Sequence, residues 1–179
     1  MEESLESRVV FSGLLLTVEV HRVKLPQGFT SVREVVRHPG AVVVVPVTAD
    51  GRLVLVKQFR FAVGQILYEF PAGTLKNGET PAECAARELR EETGLEGTLI
   101  LLGQFYSAPG FCNERLFCFL AQELVLGQAS PEADEALEVV YWSKAQVEAA
   151  MVRGEIRDAK SLAAWTLLSL RQPLTTGNF

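Results

Sequence analysis

Three glutamates, Glu88, Glu91 and Glu92, lie within five residues of one another and directly follow Arg87. Residues three and four apart on an α-helix are neighbours, so these carboxylates would crowd one side of a helix. In a cleft with an effective dielectric near 20, two carboxylates about 6 Å apart repel by roughly 3 kcal/mol. A cleft of this kind requires a cation, and hard oxygen ligands suit Mg²⁺ or Mn²⁺. A solvated helix face with ordinary salt bridges is the alternative that the cluster alone leaves open.

The residues around this cluster follow a fixed pattern. The sequence at 73–95, GTLKNGETPAECAARELREETGL, fits G-x5-E-x7-R-E-U-x-E-E-x-G-U, in which U is an aliphatic residue. The fixed positions are filled by Gly73, Glu79, Arg87, Glu88, Leu89, Glu91, Glu92, Gly94 and Leu95. This segment resembles the signature of the Nudix hydrolase family. A match at nine positions with fixed spacing is far more specific than a lone glycine motif.

The resemblance implies roles for the residues of this signature. The family binds metal through glutamates and one backbone carbonyl, and the matching groups here are the side chains of Glu88, Glu91 and Glu92 and the carbonyl of Ala72. Arg87 would orient the glutamates, and Glu79 would do so from the preceding loop. Arg87 and Glu91 therefore join the predicted catalytic set.

Other stretches resemble the ADP-ribose pyrophosphatase branch of the family. They are REVVRHPGAVVVV at 33–45, VKQFRFAVG at 56–64, YEFPAG at 68–73 and a Pro-Gly-Phe sequence that begins 15 residues after Gly94. The branch implies that Arg60 pairs with a substrate phosphate, since a guanidinium fork fits phosphate oxygens, and that Glu69 holds substrate or metal. The other predicted substrate-binding residues are Pro109, Gly110, Phe111 and Glu114. A simple Pro-Gly turn and an exposed charge pair are the alternatives for that loop.

The branch also places a general base on a flexible acidic loop before the last strand. The corresponding stretch here is SPEADEALEVV at 130–140. Its candidate bases are Glu132, Asp134, Glu135 and Glu138. We choose Glu135 because of its position relative to Leu137 and Val139, and a solvated acidic loop is the alternative.

Composition narrows the class of protein. The chain has 179 residues, 48% of them hydrophobic, which is enough for one domain with a sizeable core. A net charge of −5 argues against nucleic acid as a partner. The three cysteines form no C-x-x-C pair, which predicts reduced core residues rather than zinc ligands. No signal peptide and no apolar run of membrane length is visible, so we expect a soluble cytoplasmic protein with no membrane partner.

Local patterns predict a mixed α/β fold. Strands are predicted at 9–20, 30–37, 41–47, 53–59, 99–106, 116–126 and 136–142, with a hairpin turn at Asp50-Gly51. A helix should begin after Thr80 and end at Gly94, and two further helices should follow Ser143 and Asp158. The resemblance implies the Nudix fold, an α/β (α+β) class with a mixed β-sheet between helices. It also implies a small β-rich N-terminal module at 1–38, before a catalytic domain at 39–179, that mediates homodimerisation and is often exchanged between protomers.

The expected reaction is Mg²⁺-dependent hydrolysis of the pyrophosphate linkage of ADP-ribose to AMP and ribose 5-phosphate by metal-activated water, with Mn²⁺ as an alternative ion. The substrate would be a small nucleoside diphosphate sugar. Phe61 and Ala62 follow Arg60 where the branch often has proline, which affects the expected shape of the sugar pocket. The alternatives are a GDP-mannose or broader nucleotide-sugar pyrophosphatase, and a sensor that binds ADP-ribose without cleaving it.

Overall fold

The computed structural model describes residues 1–127 and 137–171. The chain divides into two compact units, Met1–Gly40 with Phe105–Arg115, and Ala41–Gln104 with Leu116–Phe179. The strands are β1 (Glu3–Ser12), β2 (Thr17–Lys24), β3 (Thr30–Arg37), β4 (Ala41–Pro46), β5 (Leu53–Arg60), β6 (Gln65–Glu69), β7 (Ala72–Thr74), β8 (Leu95–Tyr106), β9 (Arg115–Leu126) and β10 (Leu137–Trp142). The helices are α1 (Pro81–Thr93), α2 (Lys144–Val152) and α3 (Ala159–Arg171), with a single 3₁₀ turn at Phe61–Val63.

The first unit contains the antiparallel sheet β1-β2-β3. The predicted strand at 30–37 is confirmed as β3, but the predicted single strand at 9–20 is wrong. The chain turns there, with Gly13 N–H donating to the Leu16 carbonyl at 2.9 Å. A side chain at Gly13 would meet the Phe11 ring at 2.8 Å, so glycine allows the turn. The apolar residues continue through the turn, which is why their pattern suggested one strand.

The second unit contains a mixed four-stranded sheet, β7-β4-β9-β8, and an antiparallel three-stranded sheet, β10-β5-β6. Strand β4 runs parallel to β9 and antiparallel to β7. All of β4 is buried, as its continuous apolar sequence predicts. Val42 and Val44 pack with Cys84, Ala85 and Leu89 of α1 in the core.

The Asp50-Gly51 turn forms, but the hairpin predicted around it does not. Gly51 has a φ of 80°, and Thr48 N–H donates to the Arg52 carbonyl at 2.9 Å. Beyond the turn, Val47 and Leu53 form an isolated antiparallel bridge, but β4 and β5 lie in different sheets. Strand β4 already has β7 and β9 on its two edges, so β5 pairs with β6 and β10 instead.

Helices flank the sheet as expected for the predicted fold class. Because strand side chains alternate, Val42 and Val44 face α1 and the intervening Val43 points to the opposite face. Helix α3 also packs against β4. Within residues 1–127 and 137–171, no helix is long and apolar enough to cross a membrane.

The three cysteines are unpaired, and Cys84 and Cys118 are buried. Burial raises the pKa of each of these two thiols to about 12. Thiols with such a pKa are protonated at neutral pH, so neither residue is a candidate nucleophile.

Candidate active site

Helix α1 carries the acidic cluster and begins and ends where its sequence predicts. The Thr80 side chain accepts from Glu83 N–H at 3.3 Å, and the Glu83 carboxylate accepts from Thr80 N–H at 2.9 Å. Pro81 occupies the first turn, where a missing N–H has no cost. Gly94 ends the helix with a φ of 68°, a conformation that glycine adopts without strain. The three clustered glutamates therefore lie on one continuous helix.

Arg87 holds three carboxylates at once. Its Nε donates to Glu79 Oε1 at 2.7 Å, and its Nη1 donates to Glu88 Oε1 at 2.6 Å and to Glu91 Oε2 at 2.8 Å. Its Nη2 also reaches the Thr74 carbonyl at 3.2 Å. The Arg87 hydrogen bonds lower the pKa of Glu79 to about 2, and those with Glu79 and Glu91 raise the pKa of Arg87. This geometry suits the orienting role expected for Arg87 and Glu79.

Glu88 and Glu92 are buried against strand β7. Their residues are only 7% and 4% exposed. The Glu88 carboxylate fills the space beside Gly73, where an added Cβ would lie 1.8 Å from Oε1. Glu92 Oε2 accepts from Ala72 N–H at 3.1 Å. The structure thus brings together the helix glutamates and the strand predicted to contribute the Ala72 carbonyl.

The charge balance of this group fits a divalent cation. Four carboxylates lie together here, two of them buried, and Arg87 binds three of the four. Among the described residues, no three His, Cys, Asp or Glu side chains are arranged to hold a metal ion. Glu88 and Glu91 instead direct an oxygen at Arg87. The donor set itself, carboxylate oxygens with a nearby backbone carbonyl, is the type that Mg²⁺ and Mn²⁺ prefer.

A second charged cluster surrounds Glu69, which is 1% exposed. Arg60 donates to it in a bidentate manner, Nε to Oε1 at 3.0 Å and Nη2 to Oε2 at 2.6 Å. Lys160 Nζ also donates to Glu69 Oε2 and lies 3.0 Å from Asp158 Oδ2. Burial alone would raise the pKa of Glu69, but the Arg60 and Lys160 interactions outweigh it and lower the pKa.

Arg60 and Glu69, both predicted from the resemblance, therefore bind each other. The Arg60 side chain is still 37% exposed, and it also feels the negative charge of Glu92. Lys160 was missed in the sequence, because it lies 91 residues from Glu69 and nothing local marks the contact. The burial of the Glu69 carboxylate, which the folded structure shows, is what indicates a second cation nearby.

The predicted Pro-Gly-Phe loop belongs to the first unit. Phe111 N–H donates to the Ala108 carbonyl at 3.1 Å, and Val36 N–H donates to the Phe111 carbonyl at 2.7 Å. Pro109, Gly110 and Phe111 line a cavity of about 330 Å³ whose other walls include Arg33, Tyr106 and Asn113. Glu114 Oε1 lies 3.7 Å from His38 Nδ1.

Glu135, the predicted general base, lies outside the described residues, as do Glu132 and Asp134. Glu138 is described and accepts from Lys57 Nζ at 2.8 Å across the β5–β10 pair. This exposed ion pair gives Glu138 a structural partner. It leaves the choice of Glu135 as a prediction.

Comparison with known proteins identifies the family. The NUDIX domain model matches residues 36–165, which include all of α1 and the 73–95 signature. The chain belongs to the Nudix family. Nudix hydrolases generally use divalent metals, in agreement with the acidic donor set. The resemblance predicted from the sequence is confirmed.

Individual Nudix relatives cover almost the whole chain. It is 39% identical to the ADP-ribose pyrophosphatase of Bacillus subtilis (strain 168), over 97% of this chain and 95% of that protein. It is 35% identical to the methanol dehydrogenase activator of Bacillus methanolicus, again over 97% and 95%. A crystal structure of an ADP compounds hydrolase superposes with a TM-score of 0.84 and 24% identity, covering 94% of this chain and 92% of that one. This structural likeness confirms the predicted Nudix fold.

Proposed function

We propose that this protein is a Mg²⁺-dependent hydrolase of nucleoside diphosphate sugars that cleaves ADP-ribose to AMP and ribose 5-phosphate. The observation that carries the proposal is the pair of buried carboxylates, Glu88 and Glu92, held against β7 beside Arg87. On a solvated helix face with ordinary salt bridges, the alternative reading of this cluster, these glutamates would be exposed. The name of the Bacillus subtilis relative supports the choice of ADP-ribose.

The metal would be held by Glu88, Glu92, Glu91 and the carbonyl of Ala72. When bound, a divalent cation neutralises charge on the diphosphate oxygens and lowers the pKa of water. Mg²⁺ suits an all-oxygen donor set completed by substrate phosphate, and Mn²⁺ would substitute for it. Arg87 would keep the carboxylates in place, since it makes four hydrogen bonds to three of them, at 2.6 to 3.0 Å.

The remaining residues would bind the substrate and move one proton. Arg60 would donate to a phosphate oxygen, and Glu69 and Lys160 would fix the orientation of its guanidinium. The Glu135 carboxylate would accept a proton from the attacking water. The water oxygen then bonds to one phosphorus, the bridging P–O bond breaks, and both products leave with a terminal phosphate. Pro109, Gly110, Phe111 and Glu114 would contact the substrate from their loop.

We also propose that the β-rich residues 1–38 mediate formation of a homodimer. All ten residues of β1 are exposed, among them the large apolar side chains Val9, Val10 and Phe11. An exposed strand with such side chains is a ready surface for another chain. The unpaired cysteines support a cytoplasmic location, where thiols stay reduced.

Phosphatase-coupled hydrolysis tests the proposed reaction. The two products carry phosphomonoesters, whereas ADP-ribose does not, so alkaline phosphatase releases inorganic phosphate only after cleavage. We expect phosphate release with ADP-ribose and Mg²⁺ and none with excess EDTA, and chromatography should identify AMP. Much faster cleavage of GDP-mannose would overturn the substrate assignment. Tight binding of ADP-ribose without any Mg²⁺-dependent cleavage would instead indicate a sensor.

A further inference from the structure

The side-chain carbonyl of Gln58 is buried and accepts no hydrogen bond from residues 1–127 or 137–171. The residue is 9% exposed, and its Oε1 has no partner among the described residues. Buried polar atoms are nearly always paired, and an unpaired acceptor is costly to the folded state. A ligand that supplies the missing donor would remove this cost.

The register of the three-stranded sheet puts Gln58 on the face that carries Arg60 and Glu69. Strand β5 pairs with β6 so that Val56 is opposite Glu69 and Gln58 is opposite Leu67. Side chains directly opposite each other in an antiparallel pair share a face, as do residues two apart on one strand. Gln58 therefore lies between Val56 and Arg60, on the same face as Glu69.

That face is directed toward the acidic helix. Val54 lies four residues before Gln58 on β5 and therefore on the same face. It packs in the core with Leu89 of α1. Arg60, the next residue on this face, feels the negative charge of Glu92. Lys57, which lies on the opposite face, instead pairs with Glu138 near solvent. The unpaired carbonyl is thus on the side of the proposed catalytic carboxylates.

The chemistry of the substrate limits what could satisfy this acceptor. The oxygens of a diphosphate diester are ionised at neutral pH and only accept hydrogen bonds. The groups next to the diphosphate that donate are the ribose hydroxyls on its two sides. We propose that Gln58 Oε1 accepts a hydrogen bond from a ribose hydroxyl of the substrate and so fixes that sugar while Arg60 holds a phosphate. This inference rests on the proposed function.

If Gln58 served only to stabilise the fold, replacing it would lower the thermal midpoint; a substrate-binding role predicts otherwise. Replacing a buried side chain whose carbonyl has no donor by an apolar side chain of similar length is neutral or stabilising. Gln58→Met should therefore leave the thermal midpoint unchanged or raise it, while kcat/KM for ADP-ribose falls about tenfold, the loss expected for one hydrogen bond. Gln122→Met, the same change at an exposed strand position, is the matched control and should alter neither quantity.

Deoxy substrates identify the donor. We would measure kcat/KM of wild type and Gln58→Met with ADP-ribose and with analogues that lack one hydroxyl of either the adenosine ribose or the terminal ribose. For one analogue, we expect the wild type to lose about tenfold and Gln58→Met to lose nothing further, since both changes remove the same bond. The position of that hydroxyl tells which of the two sugars is bound.

Two results would overturn the inference while leaving the proposed reaction intact. One is a Gln58→Met enzyme that matches wild type with ADP-ribose. The other is that each analogue lowers kcat/KM by the same factor in wild type and in Gln58→Met, which would mean that Gln58 contacts water or metal rather than a hydroxyl. If the wild type cleaves none of these compounds, the proposed reaction fails separately. Calorimetric binding of ADP-ribose in EDTA then decides, with a Kd about tenfold weaker for Gln58→Met supporting the inference and an equal Kd refuting it.

Discussion

Replacing Gly73 by alanine should disable the proposed metal site without unfolding the protein. An added Cβ would lie 1.8 Å from Glu88 Oε1, 1.9 Å from Cδ and 2.4 Å from Oε2, so it would overlap the whole carboxylate. Gly73 does not have a positive φ, so alanine meets no backbone strain there. The Glu88 carboxylate is the flexible partner, and it must leave its place beside β7 and Arg87.

The size of the effect follows from this displacement. The overlap leaves about half of an ordinary contact distance, so the carboxylate must move by more than an ångström. A misplacement of about 1 Å at a catalytic group costs on the order of 100-fold in rate. We therefore expect kcat/KM for ADP-ribose to fall about 100-fold, equivalent to about 2.7 kcal/mol of transition-state stabilisation.

A second glycine provides the control for this experiment. Gly103 also lies on a strand without a positive φ, but its added Cβ would meet Leu167 at an ordinary 3.4 Å. Gly103→Ala should keep wild-type activity, and circular dichroism should show both variants folded. Wild-type activity in Gly73→Ala, or an equal loss in Gly103→Ala, would refute the idea that Glu88 must occupy this position.

Three further predictions concern other charged residues. Arg87 holds the pKa of Glu79 at about 2, below its usual 4.5, so the stability that this pair contributes is present above pH 4.5 and lost as the pH falls toward 2. Urea unfolding between pH 5 and pH 3 should show a shallower loss in Glu79→Gln than in wild type, and equal slopes would contradict the pairing. Lys160→Met leaves Glu69 with one cation instead of two and should lower the free energy of unfolding by about 1 to 3 kcal/mol in urea titrations, whereas an unchanged value would mean that the ion pair does not stabilise the fold. Glu135→Gln should slow single-turnover cleavage far more than it weakens substrate binding, and an unchanged cleavage rate would move the general base elsewhere.

The parts of this protein that could be predicted from sequence are those with local causes. Helix α1 is an example, because its first turn is set by Thr80 and Glu83 and its end by Gly94, all within the helix or next to it. The prediction of a single strand at 9–20 was wrong because the apolar pattern runs through the Gly13 turn. The predicted pairing of β5 with β4 was also wrong. The partner of β5 depends on which edges of β4 are free, and that is a property of the whole sheet.

The candidate site divides in the same way. The spacing of the 73–95 signature placed Arg87 and the clustered glutamates Glu88, Glu91 and Glu92 correctly on one helix, since neighbours on a helix are fixed by sequence separation. Lys160 contacts Glu69 from 91 residues away along the chain. The lack of a hydrogen-bond donor to the Gln58 carbonyl among the described residues likewise depends on how the side chain is buried. Such contacts are set by tertiary packing, so no local pattern could have indicated them.

Binding of Mn²⁺ followed by electron paramagnetic resonance tests the proposed metal site most directly. Free Mn²⁺ gives a sharp six-line spectrum that is lost on binding, so the signal reports occupancy without any need for turnover. We predict that wild type removes the free signal at substoichiometric Mn²⁺ and that Glu92→Gln, folded by circular dichroism, does so far more weakly. An equal loss of free Mn²⁺ in wild type and Glu92→Gln would contradict the assignment of the buried carboxylates as metal ligands.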